Sequence, residues 1–211
     1  MSEEKISRHE RRSTETKKRI LQAARTVFAK RGYGQASTKE IAEIADVAEA
    51  GIFYHFENKR GLLKAVIEGV IEELLSPTSA TLQDDWMLWA AEVLHRRIEL
   101  VRRDSALLSV LIQEVKLDNE LRQIYKDRVL QATGNKLKAG LDKLMAEGKI
   151  RPINTLIAAR AILGSYLSFM MPLADPQLES LSSEEIVTTL VDIYSQGIGL
   201  QPDKRSKGDG V

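Results

Sequence analysis

The side chains with chemistry to offer are gathered in one short stretch, residues 37–63, STKEIAEIADVAEAGIFYHFENKRGLL. It holds two hydroxyls (Ser37 and Thr38), a cation (Lys39), an acid (Glu49) and two residues of minimal bulk (Ala50 and Gly51). A phenol (Tyr54), an imidazole (His55) and a second cation (Lys59) follow. Hydroxyl, phenol, imidazole and ammonium groups donate to phosphate oxygens, and the ammonium groups also neutralise them. Small residues let a helix come close to base edges or phosphates. Glu49 has two readings: an acceptor for a cytosine amino group, or a first-turn acid matched to the helix dipole. This is the chemistry of recognising a polyanion, with no arrangement for making or breaking bonds.

Such groups act only if helices hold them. Ile41, Ala42 and Ala45 recur at helical spacing behind a polar Ser37-Thr38-Lys39-Glu40 opening that reads as an N-cap with an acid in the first turn. Asp46 falls where the chain must turn, and Asp tolerates positive φ there; Val47 is the plug beneath the turn. A second helix follows from about residue 48 to 55. It is too short to stand alone, so Ile52, Phe53 and Phe56 are expected to face a core built by its neighbours. Two such helices around a tight turn put the second into the major groove while the first crosses the phosphate backbone.

The run resembles the DNA-binding signature of the TetR family of bacterial transcriptional regulators, and the resemblance extends upstream through the helix from Lys17 to Lys30 and the GYGQAS turn. It implies an all-α fold: an N-terminal three-helix helix-turn-helix DNA-binding domain, joined by a connecting helix to a C-terminal helical ligand-binding and dimerisation domain. It also implies roles. Thr38, Tyr54, His55 and Lys59 would contact phosphates, with Ser37 beside them, while Lys39, Glu49, Ala50 and Gly51 would lie nearest the bases. Three positions depart from the family pattern: Ala48 where Ser or Thr is usual, Asp46 where Gly is usual, and Phe53 where a tyrosine often supplies a hydroxyl.

Charge agrees with this division of labour. Residues 1–64 hold 14 Lys+Arg against 9 Asp+Glu, and residues 65–211 hold 17 against 21, so a basic end precedes an acidic remainder within a chain of net charge +1. Arg8, Arg11 and Arg12 lie in an opening stretch, residues 1–15, without apolar period. It reads either as a mobile arm that follows the minor groove or as a solubilising tail. The 211 residues, 43% hydrophobic, suffice for one or two ordinary cores. The sequence has no cysteine, which excludes disulfides, thiolate metal sites and cysteine nucleophiles, and its three histidines are far apart. No run approaches the roughly 18 apolar residues of a membrane span, so a cytoplasmic protein is expected.

Downstream, a connecting helix is expected from Lys59 to about Leu75 behind an N-cap at Asn58, closed by Ser76-Pro77. Five more follow at about residues 84–103, 105–117, 119–147, 154–173 and 183–197, with Gly134 a weak point in the longest. The expected domains are 1–58 (arm and helix-turn-helix), 59–200 (regulatory and dimerisation) and 201–211 (a polar tail). Small and apolar residues on the last two helices, Ala158, Ala161, Ile162, Ser165, Val187, Leu190, Val191 and Tyr194, suit either an internal core or a two-fold interface between subunits. The resemblance favours the interface. Trp86, Trp89, Gln113, Tyr125, Tyr166, Phe169 and Met170 could line an effector pocket or simply fill a core.

Glu92, His95 and Glu99 form a row at helical spacing that reads as surface ion pairs rather than acid–base machinery. The expectation is therefore a non-enzymatic regulator without cofactor or metal, most simply a repressor. Its expected partners are a pseudo-palindromic double-stranded DNA operator, a second copy of itself and a small, partly apolar effector. The alternative is a helical DNA-binding protein whose C-terminal part docks a protein partner and has no small-molecule effector.

Overall fold

Apolar residues recur at three- and four-residue steps along the chain, and helices are the answer. The computed structural model describes residues 8–76, 86–170 and 180–198. In order they form α1 (Arg8–Gln35), α2 (Thr38–Ala45), α3 (Glu49–Phe56), α4 (Lys59–Leu75), α5 (Trp86–Arg103), α6 (Ser105–Leu117) and α7 (Asn119–Tyr125). A π-helical segment (Lys126–Gln131), α8 (Ala132–Ala146), α9 (Thr155–Met170) and α10 (Ser183–Ile198) complete them. No β-strand occurs among the described residues, and the fold is all-α as expected.

Two helices differ from expectation. The first begins at Arg8, so Arg8, Arg11 and Arg12 belong to a helix rather than to a mobile arm. Straight-chain residues such as Arg, Glu and Lys prolong a helix that packing further along has already nucleated, with no need for apolar period. The same helix runs on to Gln35 across a break at Gly32, whose φ of 72° and ψ of 165° suit a residue without a Cβ. The predicted long helix over 119–147 is divided by the π-helical segment upstream of Gly134. Gly134 is buried in α8, where an added Cβ would make an ordinary contact, 3.8 Å, with Leu163 Cδ2, so the approach of α9 does not require a glycine there.

The described residues fall into two compact units. One comprises those up to Leu74 together with Asp104–Gln123; the other comprises Leu75–Arg103 and those from Ile124 onward. This grouping differs from the division expected at residues 58/59, because most of α4 and all of α6 belong to the first unit. The first core is built from Ile20, Ala24, Val27 and Phe28 of α1 with Ile41, Ile52, Leu62 and Leu63. The second gathers Leu137, Leu141, Leu144, Ile150 and Ala159, with Trp89, Met145, Ile153, Ala158 and Ile162 packed against it. At its edge Thr155 donates to Asp142 Oδ1 at 2.5 Å and Lys138 to Oδ2 at 2.6 Å, pinning the start of α9 to α8.

Candidate nucleic-acid interface

The two helices of the recognition unit are held by their ends. Ser37 adopts an extended backbone, and its hydroxyl accepts from Glu40 N at 3.0 Å, so it caps α2 rather than standing free for a phosphate. At the other end Asp46 takes the left-handed conformation, φ 53° and ψ 53°, and its N–H reaches the carbonyls of Ala42 and Glu43. The positive φ expected of Asp46 is met. Val47 N donates to Ala42 O at 3.1 Å, closing the turn.

Ala48 starts α3 with no side-chain cap, as its methyl group dictates. The orphan donors of that helix start instead have a carboxylate nearby: Glu49 lies in the first turn and accepts from Thr38 Oγ1 at 2.5 Å. The hydrogen bond ties the first turn of α2 to that of α3. The bond leaves Glu49 Oε2 as an acceptor, so both readings of Glu49 stand.

Ile52 and Phe56 are buried, which fixes the orientation of α3. At about 100° per residue, Ala50 and Tyr54 then point directly away from the core, with Glu49 and Phe53 on one flank and Gly51 and His55 on the other. Exposure follows this wheel: Ala50 is exposed, Gly51 and His55 are half-buried, and Tyr54 is 77% exposed. Phe53 is a correction. It was expected to face the core, yet it is 45% exposed, because only two positions in so short a helix can point inward. Tyr54 and His55 meet edge to face with ring centroids 5.0 Å apart.

Lys39 is exposed on the first turn of α2. Lys59, at the start of α4, donates to Gly34 O at 3.2 Å and sits 4.6 Å from the centroid of the Tyr33 ring. An ammonium has three donors, so Lys59 is positioned by the GYG turn and keeps capacity for an anion. Burial and the charge of Glu114 raise the Tyr33 hydroxyl pKa.

The joint between α3 and α4 carries the most unusual backbone in the unit. Glu57 has φ 63° and ψ −47°, and Asn58 N donates to Phe56 O at 2.6 Å across it, a three-residue turn rarely formed by a residue with a side chain. Asn58 caps α4 as expected, accepting from Gly61 N at 2.8 Å. The folded-back carbonyl of Phe56 then lies where a side chain at position 61 would begin: a Cβ on Gly61 would be 2.1 Å from Phe56 O. Only glycine fits.

Beyond the joint, α4 is fastened by ions. Arg60 donates to Asp118 at 2.8 and 3.1 Å and to Glu120 at 2.7 Å, and Lys64 donates to Glu120 at 2.6 Å. The Arg60 hydrogen bonds, helped by the backbone N–H groups of Leu121 and Glu120, lower the Asp118 pKa to about 2. Arg25 of α1 pairs with Glu73 at 3.1 Å and Asp104 at 2.7 Å. Sequence reasoning missed both clusters, since partners 58 and 79 residues apart leave no local period. Gly61 was findable as a glycine inside a helical pattern.

In the second unit Val187 and Leu190 are buried, and Ala158 and Ile162 pack on the Leu141 core, so these four belong to the subunit's own interior. Ser165, Val191 and Tyr194 are half-buried; the Ser165 and Tyr194 hydroxyls lie 2.5 Å apart and Tyr194 also donates to Ala161 O at 3.2 Å. The apolar residues left outward on α9 and α10 are Ala161, Leu156, Ile157 and Ile193, the last three at least half exposed. Among the pocket candidates, Trp89 is half-buried, Tyr125 is half-buried with its hydroxyl pKa raised by burial, and Gln113 is exposed on α6, within the first unit. The side chains of Trp86, Tyr166, Phe169 and Met170 lie outside the described set. Glu99 accepts from Ser183, so the Glu92-His95-Glu99 row gives one carboxylate to α10. Among the described residues no helix is long and apolar enough to cross a membrane and no three acidic or histidine side chains converge as a metal site.

Residues 20–66 match the family model for bacterial regulatory proteins of the tetR family. The uncharacterized HTH-type transcriptional regulator YvkB of Bacillus subtilis is 54% identical over 52 residues, which span 25% of this chain and 28% of that protein's length. The HTH-type transcriptional regulator TtgR of Pseudomonas putida is 34% identical over 67 residues, 32% of each protein. The fold is shared along nearly the whole chain with a transcriptional regulator from Saccharomonospora viridis crystallised with choline, at 21% identity and a TM-score of 0.70, covering 89% of this chain and 100% of that one. From the helix-turn-helix geometry and these likenesses together, residues 20–66 form a DNA-binding domain of the kind found in bacterial regulatory proteins of the tetR family, and the rest of the chain shares the fold of solved transcriptional regulators.

Proposed function

We propose that this chain is a ligand-responsive repressor: a cytoplasmic homodimer that binds a pseudo-palindromic operator and is released by a small, partly apolar effector. One observation carries the DNA arm. The face of α3 turned away from the core bears Ala50 and Tyr54, with Phe53 and Gly51 at its flanks, while Lys39 and Lys59 stand at the starts of the flanking helices. That is a slim surface with cations at its margins, suited to the major groove. Lys59, Tyr54 and His55 serve phosphates, and Thr38 joins them only where its hydroxyl turns away from Glu49; Lys39, Ala50 and Gly51 lie nearest the bases. A dimer would space two copies of α3 one helical turn apart, about 34–36 Å. The apolar strip of Leu156, Ile157, Ala161 and Ile193 is the surface left for a second copy.

The effector arm rests on fold neighbours. The Saccharomonospora viridis protein was crystallised with choline, and AibR, 24% identical with a TM-score of 0.63, with isovaleryl coenzyme A and operator DNA. In this chain half-buried Trp89 and Tyr125 are the described members of such a site. Ligand binding acts on DNA only if it favours one state of the recognition unit, and α4, fixed to α3 by the Phe56–Gly61 joint, is the element through which that preference would pass.

The test begins with selection of duplexes from genomic fragments, followed by anisotropy on the enriched sequence. Replacing Lys59 by Ala should weaken binding to all duplexes alike and lower the salt slope by about one unit, and adding Tyr54→Ala should weaken it further. Undiminished binding by the double variant at physiological salt would show the interface to be elsewhere. Release of the duplex by a compound that also raises the melting temperature supports the effector arm; a protein partner captured at the C-terminal unit, with no releasing compound, supports the alternative.

A further inference from the structure

We infer that Phe53, flanked by Ala50, reads the 5-methyl groups of thymines, so that the operator half-site carries thymine where α3 meets the major groove floor. The inference rests on the DNA-binding reading and deepens it. Three observations converge. First, the acid that could have read cytosine, Glu49, is drawn toward α2, where one of its oxygens accepts from Thr38 at 2.5 Å. Second, Ala50 and Gly51 in the first turn of α3 carry no hydrogen-bonding side chain: Ala50 offers a methyl group, and a Cβ added to Gly51 would meet nothing within 4 Å. Third, Phe53 keeps 45% of its surface in water although Ile52 and Phe56 beside it are buried.

Ala50 and Phe53 are three residues apart in a helix, so their side chains adjoin and form one apolar surface. In the major groove the only apolar feature that distinguishes one base pair from another is the thymine methyl group, which pairs with Ala or Phe side chains. A ring and a methyl group presented there gain by removing that methyl from water and gain nothing from the amino and carbonyl edges of a G·C pair. Tyr54, 77% exposed on the neighbouring position, carries a hydroxyl that can serve the phosphate beyond. Specificity in this part of the site is then apolar and local, while Lys39 remains free to contribute a polar contact at the helix before it.

The experiment uses the full chain and duplexes enriched from a random library, each remade with deoxyuridine in place of individual thymines. That change deletes a methyl group and leaves every hydrogen-bonding edge intact. At one or two positions per half-site the wild-type protein should bind about three- to fourfold more weakly, the worth of one buried methyl group. Phe53→Ala should bind the thymine duplex more weakly and lose most of that discrimination; Phe53→Leu, which keeps an apolar side chain, should retain part of it and guards against a folding defect. Equal affinity for thymine and deoxyuridine at every position overturns the inference while leaving the DNA-binding reading standing. So does full discrimination by Phe53→Ala, which would hand the methyl contact to another residue. Enrichment of no duplex at all would instead sink the DNA-binding reading itself.

Discussion

The two units are both helical and both have apolar cores, but they are specified differently. In the first, four positions take conformations or contacts that most residues do not tolerate: Gly32 at φ 72°, Asp46 at φ 53°, Glu57 at φ 63° and Gly61 against the Phe56 carbonyl. In the second, the corresponding features are apolar period, a packed cluster around Leu141 and, among the described residues, a single positive-φ residue, Gly148 at φ 69°. A site for a rigid polymer of fixed groove width requires backbone placed to a fraction of an ångström. A body that need only fold around an apolar core is held by volume and pattern, which many sequences satisfy.

Four substitutions would break or sharpen that contrast. The largest effect belongs to the second unit: Leu141→Ala should cost about 2–5 kcal/mol in urea unfolding through the cavity it leaves, yet duplex affinity measured well below the transition should be unchanged. Lost affinity in the folded variant would mean that the units are not separately specified. Gly61→Ala should cost about 1–3 kcal/mol, since the carbonyl 2.1 Å from the new Cβ must move, and here duplex affinity should fall with stability. Ala48→Ser should raise the melting temperature by supplying the missing N-cap of α3, worth about 1 kcal/mol.

The smallest effect is electrostatic. The Asp118 pKa, lowered to about 2 by Arg60, lies below its unfolded value, so in the acid range the unfolded chain binds the proton more readily. The pairing stabilises fully above the ordinary carboxylate range and is lost as pH falls through about 2. Arg60→Met should therefore lower stability slightly across the neutral range and flatten its fall into acid by the same amount, an effect kept small by the partial exposure of the pair.

What could be read in the sequence was whatever chemistry one residue or one turn decides. Asp46 at a left-handed turn, Asn58 capping α4 and the uncapped Ala48 follow from side-chain type alone. The α3 outward face was misread at Phe53 because hydrophobicity was taken to mean burial, and in a two-turn helix geometry overrules it. Arg60 with Asp118 and Arg25 with Asp104 were invisible: any exposed helix offers similar charges, and only the folded chain brings these together. The start of α1 at Arg8 was hidden for a related reason, since charged residues give no period even where they propagate a helix.

The Phe56 carbonyl meets three neighbours at once: the Asn58 amide at 2.6 Å, the strained Glu57 between them, and the bare α-carbon face of Gly61. In mechanical language this is a coupling without backlash. A looser link would absorb the first few degrees of any rotation of α4, and the recognition helix would notice only what was left. Here there is no free travel to absorb, so even a rotation too slight to alter a single contact elsewhere must reappear as a change in the angle at which α3 presents Phe53 and Tyr54.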